Sequence, residues 1–355
     1  MNGFNYNYDN VVIETPEERA QKRRTQRRLF SRVFFALFMY IALSFVLSTA
    51  VYVVASMVLP QDVYAKFAMS TPASIIVSCV TQYLIAFPIF LLCLIGTKTA
   101  EKREKKKLSI GQFILFFAVG ESLMYLGNII GIMLNNFFGS IRGSVPENDL
   151  VSIINETPIY LIFIMMVILA PIFEELICRK LIIDRLSVYG DHIAIGFSAI
   201  AFGLLHENLY QFFYATMLGV LLGYIYTYTR QVKYTVIMHM IINFMGSIVV
   251  LPIEKFMVEF DRLTALFEAG EPVNLVALAF NGIITLVYSN LQYGMMVAGV
   301  FVLVHFIRQK KLTVSHDKEI FLQDKEIIKG GIVNVGSILF ISLTVVMTLL
   351  NLILS

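Results

Sequence analysis

The sequence predicts an all-α fold, a polytopic bundle of eight or nine transmembrane helices, and three observations predict it. Of 355 residues, 57% are apolar and 15% are charged, well under the share of about a quarter usual in soluble domains. The mean hydropathy is +0.74. The apolar residues gather in runs of about 20 or more, the length a helix needs to cross hydrocarbon, and the charges fall in blocks between those runs.

The order of elements follows from those blocks. Residues 1–32 are polar and end in Arg19, Lys22, Arg23, Arg24, Arg27, Arg28 and Arg32. The run Val33 to Leu59 that follows is too long for a signal-peptide core. It reads as an anchor whose basic flank stays in the cytoplasm, and this positive-inside role accounts for the block without nucleic acid. A second span, Pro72 to Ile95, empties into Lys98, Lys102, Arg103, Lys105, Lys106 and Lys107. A third, Phe113 to Phe137, carries Gly127 and Gly131 at a spacing that admits a close neighbour, together with Glu121. That acid either bonds a neighbouring helix or belongs to a site.

The fourth span, Pro158 to Arg185, carries Glu174, Glu175 and Arg179. Thr157 and Pro158 read as N-cap and first helical residue. Pro171 cannot donate to Val167 and predicts a kink one turn before the acids. A short fifth span, His192 to His206, and a sixth, Tyr210 to Thr229 with Gly219 and Gly223, precede Arg230 and Lys233. A seventh, Tyr234 to Leu251, holds His239 and Asn243 one turn apart. Pro252 to Pro272 carries five acids and reads as an external loop. Asn274 to Ile307 reads as one span plus an amphipathic segment, because Arg308, Lys310 and Lys311 belong inside. Val333 to Leu354 closes the chain. This divides it into a basic segment (1–32), two helices with a cytoplasmic loop (33–112), a core (113–251) and C-terminal helices with a loop (252–355). The protein is thus expected to be a multi-pass plasma-membrane protein with a cytoplasmic N-terminus. Cys79, Cys93 and Cys178 show no framework spacing and read as free thiols.

A carboxylate at mid-membrane carries an insertion penalty of roughly 2.5 to 3.5 kcal/mol, so intramembrane acids point to a site with a partner. Glu175 and Arg179, four apart, share a helix face and form an ion pair, while Glu174 points about 100° away over Cys178. At ~1.5 Å per residue from a turn near Tyr189, Glu174 lies about 22 Å up one arm and His206 about 25 Å up the next. These two are level. His239 stands only about 10 Å above the Arg230 turn and joins them only if the fourth and fifth spans protrude or tilt. His192, His305 and His316 sit at helix ends or in the polar stretch and carry no role; Glu207 and Asn208 either line a path or cap a turn.

A carboxylate and an imidazole converging on one water can hydrolyse a peptide bond, with an amide and a second imidazole stabilising the oxyanion. Alternatively Glu174, His206 and His239 form the ligand set of a catalytic zinc. Both schemes give peptide hydrolysis.

Glu174-Glu175-x-x-x-Arg179, Phe202-x-x-x-His206 and His239-x-x-x-Asn243, ordered on successive spans, resemble the three motifs of the CPBP (Abi) intramembrane proteases, which include CAAX prenyl endopeptidases and bacteriocin-processing or immunity proteins. The resemblance covers Phe113 to Leu251. It implies that Glu174 is the general base, His206 its partner on the water, and His239 with Asn243 the oxyanion site. Glu175 and Arg179 then hold the glutamate helix. The substrate implied is a membrane-embedded or lipid-associated peptide or protein. Cys178 stands where the family often has an aromatic residue and Lys180 where it often has glycine. The rival is a non-catalytic scaffold or bacteriocin-immunity protein that binds a partner. A proton-coupled transporter would show repeated halves with matching broken helices, and the sequence has no such symmetry.

Overall fold

The computed structural model describes residues 15–143, 149–309, 312, 314 and 316–354. All of their regular structure is helical: α1 Pro16–Val58, α2 Gln61–Ala68, α3 Thr71–Cys93, α4 Ile110–Arg142, α5 Asp149–Glu156, α6 Ile159–Tyr189, α7 Asp191–Leu204, α8 Leu209–Thr229, α9 Val232–Glu268, α10 Leu275–Arg308, α11 Asp324–Ile332 and α12 Val335–Leu354. Eight of these, α1, α3, α4, α6, α8, α9, α10 and α12, are long and apolar enough to cross a membrane. The helix α7 is too short to count among them. The all-α polytopic bundle is therefore what the sequence specifies.

The sequence reading needs four corrections. Helix α1 does not begin at the apolar run but at Pro16, because Thr15 and Glu18 build a reciprocal capping box at the polar end. Helix α6 is capped by Pro158 rather than Thr157, whose buried hydroxyl makes no hydrogen bond. The stretch from Pro252 is not a loop: α9 runs on to Glu268. Pro252 fits because the ladder slips to i→i+5 bonds over Met245–Val249, so the residue without an N–H falls in the first turn after the slip. Leu275–Arg308 is one continuous helix, with no separate amphipathic segment. Lys310 and Lys311 lie outside the described residues.

Two packed centres set the architecture. One gathers α1, α3, α6, α7 and α12 around Phe30, Leu37, Phe90, Ile182, Phe202 and Phe340. The other joins α4, α8, α9 and α10 around Val119, Leu218, Leu222, Met238 and Ile242. The close approach predicted for Gly127 is real: a Cβ there would lie 2.4 Å from the Tyr214 Cα, so α4 and α8 touch backbone to backbone. Gly219 serves α7 and α8 in the same way, its place for a Cβ being 3.0 Å from the Ala199 Cα.

The charged blocks meet at one end of the bundle. Asp191, at the start of α7, accepts from Arg103 at 2.6 Å and from Arg230 at 2.7 and 2.8 Å. Arg32 donates to the Cys93 and Ile95 carbonyls that α3 leaves open at its C-terminus. Glu319 pairs with Lys98 at 2.9 Å, and Arg19 with Glu326 at 3.0 Å. The apolar runs thus share an end, and that end fixes the depth of every side chain on α6, α7, α8 and α9.

Candidate active site

Pro171 shapes the helix that carries the acids. Around it the ladder of α6 slips to i→i+5 bonds, over Ile162–Leu169 and again over Leu176–Ile183, with a short α-helical stretch, Ala170–Glu175, between. At the first slip the Ala170 N–H reaches the Met165 carbonyl. The Met166 carbonyl then faces Pro171, which has no hydrogen to give. Asn243 on α9 fills that vacancy, its Nδ2 donating to Met166 O at 2.9 Å. The predicted kink is realised as a slipped ladder whose spare acceptor ties α6 to α9.

The tie brings the two glutamates to His239. Glu175 is fully buried, and its Oε2 lies 2.9 Å from Arg179 Nε, with Arg179 fully buried as well. The approach is off the N–H direction: none of the three guanidinium nitrogens makes a hydrogen bond among the described residues, so charge holds the pair. The other oxygen of Glu175, Oε1, stands 3.1 Å from His239 Nδ1. A carboxylate can only accept, so Nδ1 carries the hydrogen and Nε2 is the nitrogen turned toward Glu174, 3.7 Å from its Oε2. That gap is longer than a hydrogen bond.

His206 follows the end of α7. Its Nδ1 lies 2.8 Å from the Phe202 carbonyl. A carbonyl also only accepts, so the tautomer is fixed with the lone pair on Nε2. The Phe202 ring is the shared wall of the site: it meets His206 edge-on at 5.0 Å and His239 at 5.6 Å, and Arg179 lies over its face at 4.7 Å. The next residues are a turn rather than a path. Glu207 takes a left-handed conformation with φ of 51°, and Asn208 caps α8 by accepting from the Tyr210 and Gln211 amides.

These groups open on one cavity of about 460 Å³, lined by Glu174, His206, His239 and Asn243 and, across it, by Glu121 and Tyr214. Glu121, which the sequence left between two readings, therefore shares the cavity. Glu175 and Arg179 lie behind the wall. Glu174 and His206 line the same cavity, and the Glu175–Arg179 pair forms as the four-residue spacing leads one to expect. Sequence reasoning missed the bond from His239 to Glu175, because it joins helices whose relative depth depends on the slips. It also missed the orphaned Met166 carbonyl, although Pro171 was its signal. A zinc ligand set fits less well: among the described residues, Glu174, His206 and His239 do not bring three donor atoms within 4.8 Å of one another.

The fold and site define a class: a polytopic helical membrane protein with a carboxylate and two imidazoles around an intramembrane cavity. Within it, residues 156–245 match the family described as type II CAAX prenyl endopeptidase Rce1-like, from the residue before Thr157 to just past Asn243. The chain is also similar to YdiL of Bacillus subtilis strain 168, named a membrane peptidase, at 26% identity over 46% of this chain and 67% of that protein. It is 27% identical to the membrane-embedded CAAX protease MroQ of Staphylococcus aureus strain USA300, over 45% of this chain and 68% of that one. No solved structure matches. The family match supports a membrane protease of CAAX type acting on a membrane-associated peptide or protein.

Proposed function

We propose that this protein is an intramembrane endopeptidase that activates water with Glu174 and His206. The observation that carries the reading is the convergence of Glu174, His206, His239 and Asn243 on one cavity of about 460 Å³. Water held between the Glu174 carboxylate and His206 gives its proton to Glu174. Its second hydrogen bonds the His206 Nε2 lone pair, left free by the bond from Nδ1 to Phe202 O. The hydroxide attacks the scissile carbonyl, and the oxyanion accepts from the remaining N–H of the Asn243 amide and from His239 Nε2, which donates when the ring is doubly protonated, with Nδ1 still bonded to Glu175. Glu174 then passes its proton to the departing amine. Glu175 orients His239, and Arg179 balances the charge of Glu175.

The proposal routes no step through a metal; zinc held by Glu174, His206 and His239 is the alternative, and chelator sensitivity of turnover distinguishes the two. The charged end, where Arg32, Arg103, Arg185 and Arg230 gather, faces the cytoplasm by the positive-inside rule. This puts the N-terminus there too, in a multi-pass protein of the plasma membrane in contact with its lipids. The substrate is a membrane-embedded or lipid-associated peptide that enters the cavity between α4, α9 and α10.

The test is cleavage of a membrane-peptide library by the purified protein in detergent. Glu174→Gln and His206→Ala should each lower turnover by about 10² to 10⁴-fold, the usual share of general acid–base catalysis. If both variants keep full activity in cells, the protein is a binding scaffold and the hydrolytic scheme fails.

A further inference from the structure

Outside the catalytic cavity, at the charged end of the bundle, His192, His316 and Asp324 bring three donor atoms within 4.8 Å of one another. They come from three separate segments: the first turn of α7, the stretch before α11, and the first residue of α11. We propose that this cluster is a divalent transition-metal site, with zinc as its natural occupant class, that clips the 316–324 segment and α11 onto α7.

The geometry admits a metal as readily as a His–Asp hydrogen bond. His192 Nε2 stands 3.1 Å from Asp324 Oδ2. Two donors about 2.0 to 2.1 Å from a tetrahedral zinc are about 3.3 Å apart, so this spacing needs almost no adjustment. The His316 ring lies 4.0 Å from the His192 ring, centroid to centroid, at 34°. Two neutral imidazoles can lie this close, whereas two charged ones repel. The opposite nitrogen of His192, Nδ1, is buried without a hydrogen-bond partner, so the ring has a single usable nitrogen, and it faces the cluster.

The surroundings fix the ligands as outer groups fix them in metal sites. Lys318 Nζ donates to Asp324 Oδ1 at 2.5 Å and to Leu322 O at 2.7 Å, which holds the carboxylate and leaves Oδ2 for the ion. Gly190, with φ of 103°, makes room for the ring: a Cβ there would lie 2.7 Å from His192 Cε1. The Glu319 and Ile320 amides both donate to Val188 O, at 3.0 and 3.2 Å, so the segment between His316 and Asp324 is docked on the α6–α7 turn before any ion arrives. Two imidazoles and one carboxylate with a fourth position for water suit zinc and exclude magnesium and calcium, which take oxygen ligands.

The experiment uses the full-length protein in detergent, stripped with EDTA and titrated with Co²⁺ and then Zn²⁺. One equivalent of Co²⁺ should bind with the visible bands of a tetrahedral site, and Zn²⁺ should displace it. His316→Ala and Asp324→Asn change side chains open to solvent and should each weaken binding by more than about 10-fold, the least that even outer-sphere losses bring. The doubly substituted Glu174→Gln, His206→Ala protein should bind as wild type does, which separates this site from the catalytic cavity. No stoichiometric binding, binding indifferent to His316→Ala, or binding lost with Glu174 and His206 would each overturn the proposal.

Discussion

The Arg179 side chain is where the energetics of the site are most exposed to test. A guanidinium with no surface exposure faces one carboxylate and one aromatic ring, so the pair is held by mutual charge in a region of low dielectric. Breaking such a pair by removing one partner costs about 3 to 5 kcal/mol, whereas replacing both can be neutral. Arg179→Met should therefore lower the thermal midpoint sharply, and adding Glu175→Gln should restore most of it. Activity should follow a different course. The double variant lacks the carboxylate that accepts from His239 Nδ1, so turnover should stay low although the fold has recovered, with kcat falling more than KM rises. Thermal unfolding and steady-state kinetics on the four proteins of the cycle check this; recovery of kcat along with stability would mean that Glu175 only balances Arg179. This pair was legible in the sequence because four-residue spacing within one helix is a local property. The contact of Glu175 with His239 was not, since it spans two helices.

At the scale of elements, the slips of α6 explain both what could be read and what could not. Glu174 and His206 lie on arms joined by one short turn, so counting residues from Tyr189 levels them. His239 is reached through the Arg230 turn and an unslipped stretch, Val232–Phe244, whereas the path from Tyr189 to Glu174 crosses the slip over Leu176–Ile183, where i→i+5 bonds put more residues in each turn. Counting at the α-helical rise therefore sets Glu174 too far from His239. The expected loop from Pro252 failed for the same reason, because a slip absorbs a proline that an unbroken α-ladder would reject. The tie from Asn243 to the Met166 carbonyl makes this measurable. Asn243→Ala should cost about 1 to 3 kcal/mol in the wild type by leaving that carbonyl unpaired. In a Pro171→Ala background the helix regains an N–H at that position, and the same substitution should cost distinctly less. Equal costs in the two backgrounds, measured by chemical unfolding, would separate Asn243 from Pro171.

For the whole molecule, the proposed metal clip lies away from the reacting groups, and this gives chelation a distinct signature. The His192, His316 and Asp324 cluster joins the C-terminal segment to α7, whose far end leads to His206, so an ion there stabilises the bundle without touching the reacting groups. A ligand that binds only the folded state adds about 2.7 kcal/mol at a hundred times its Kd. EDTA should therefore lower the thermal midpoint of wild-type protein by a few degrees and leave that of His316→Ala where it was. Turnover below the unfolding range should be indifferent to chelator in both proteins, because the proposed hydrolysis by Glu174 and His206 routes no step through an ion. Turnover abolished by chelator in His316→Ala as well would place an ion among Glu174, His206 and His239 and end the metal-free scheme, whatever the clip does. Chelation that shifts the two midpoints equally would leave the catalytic scheme standing and remove the clip.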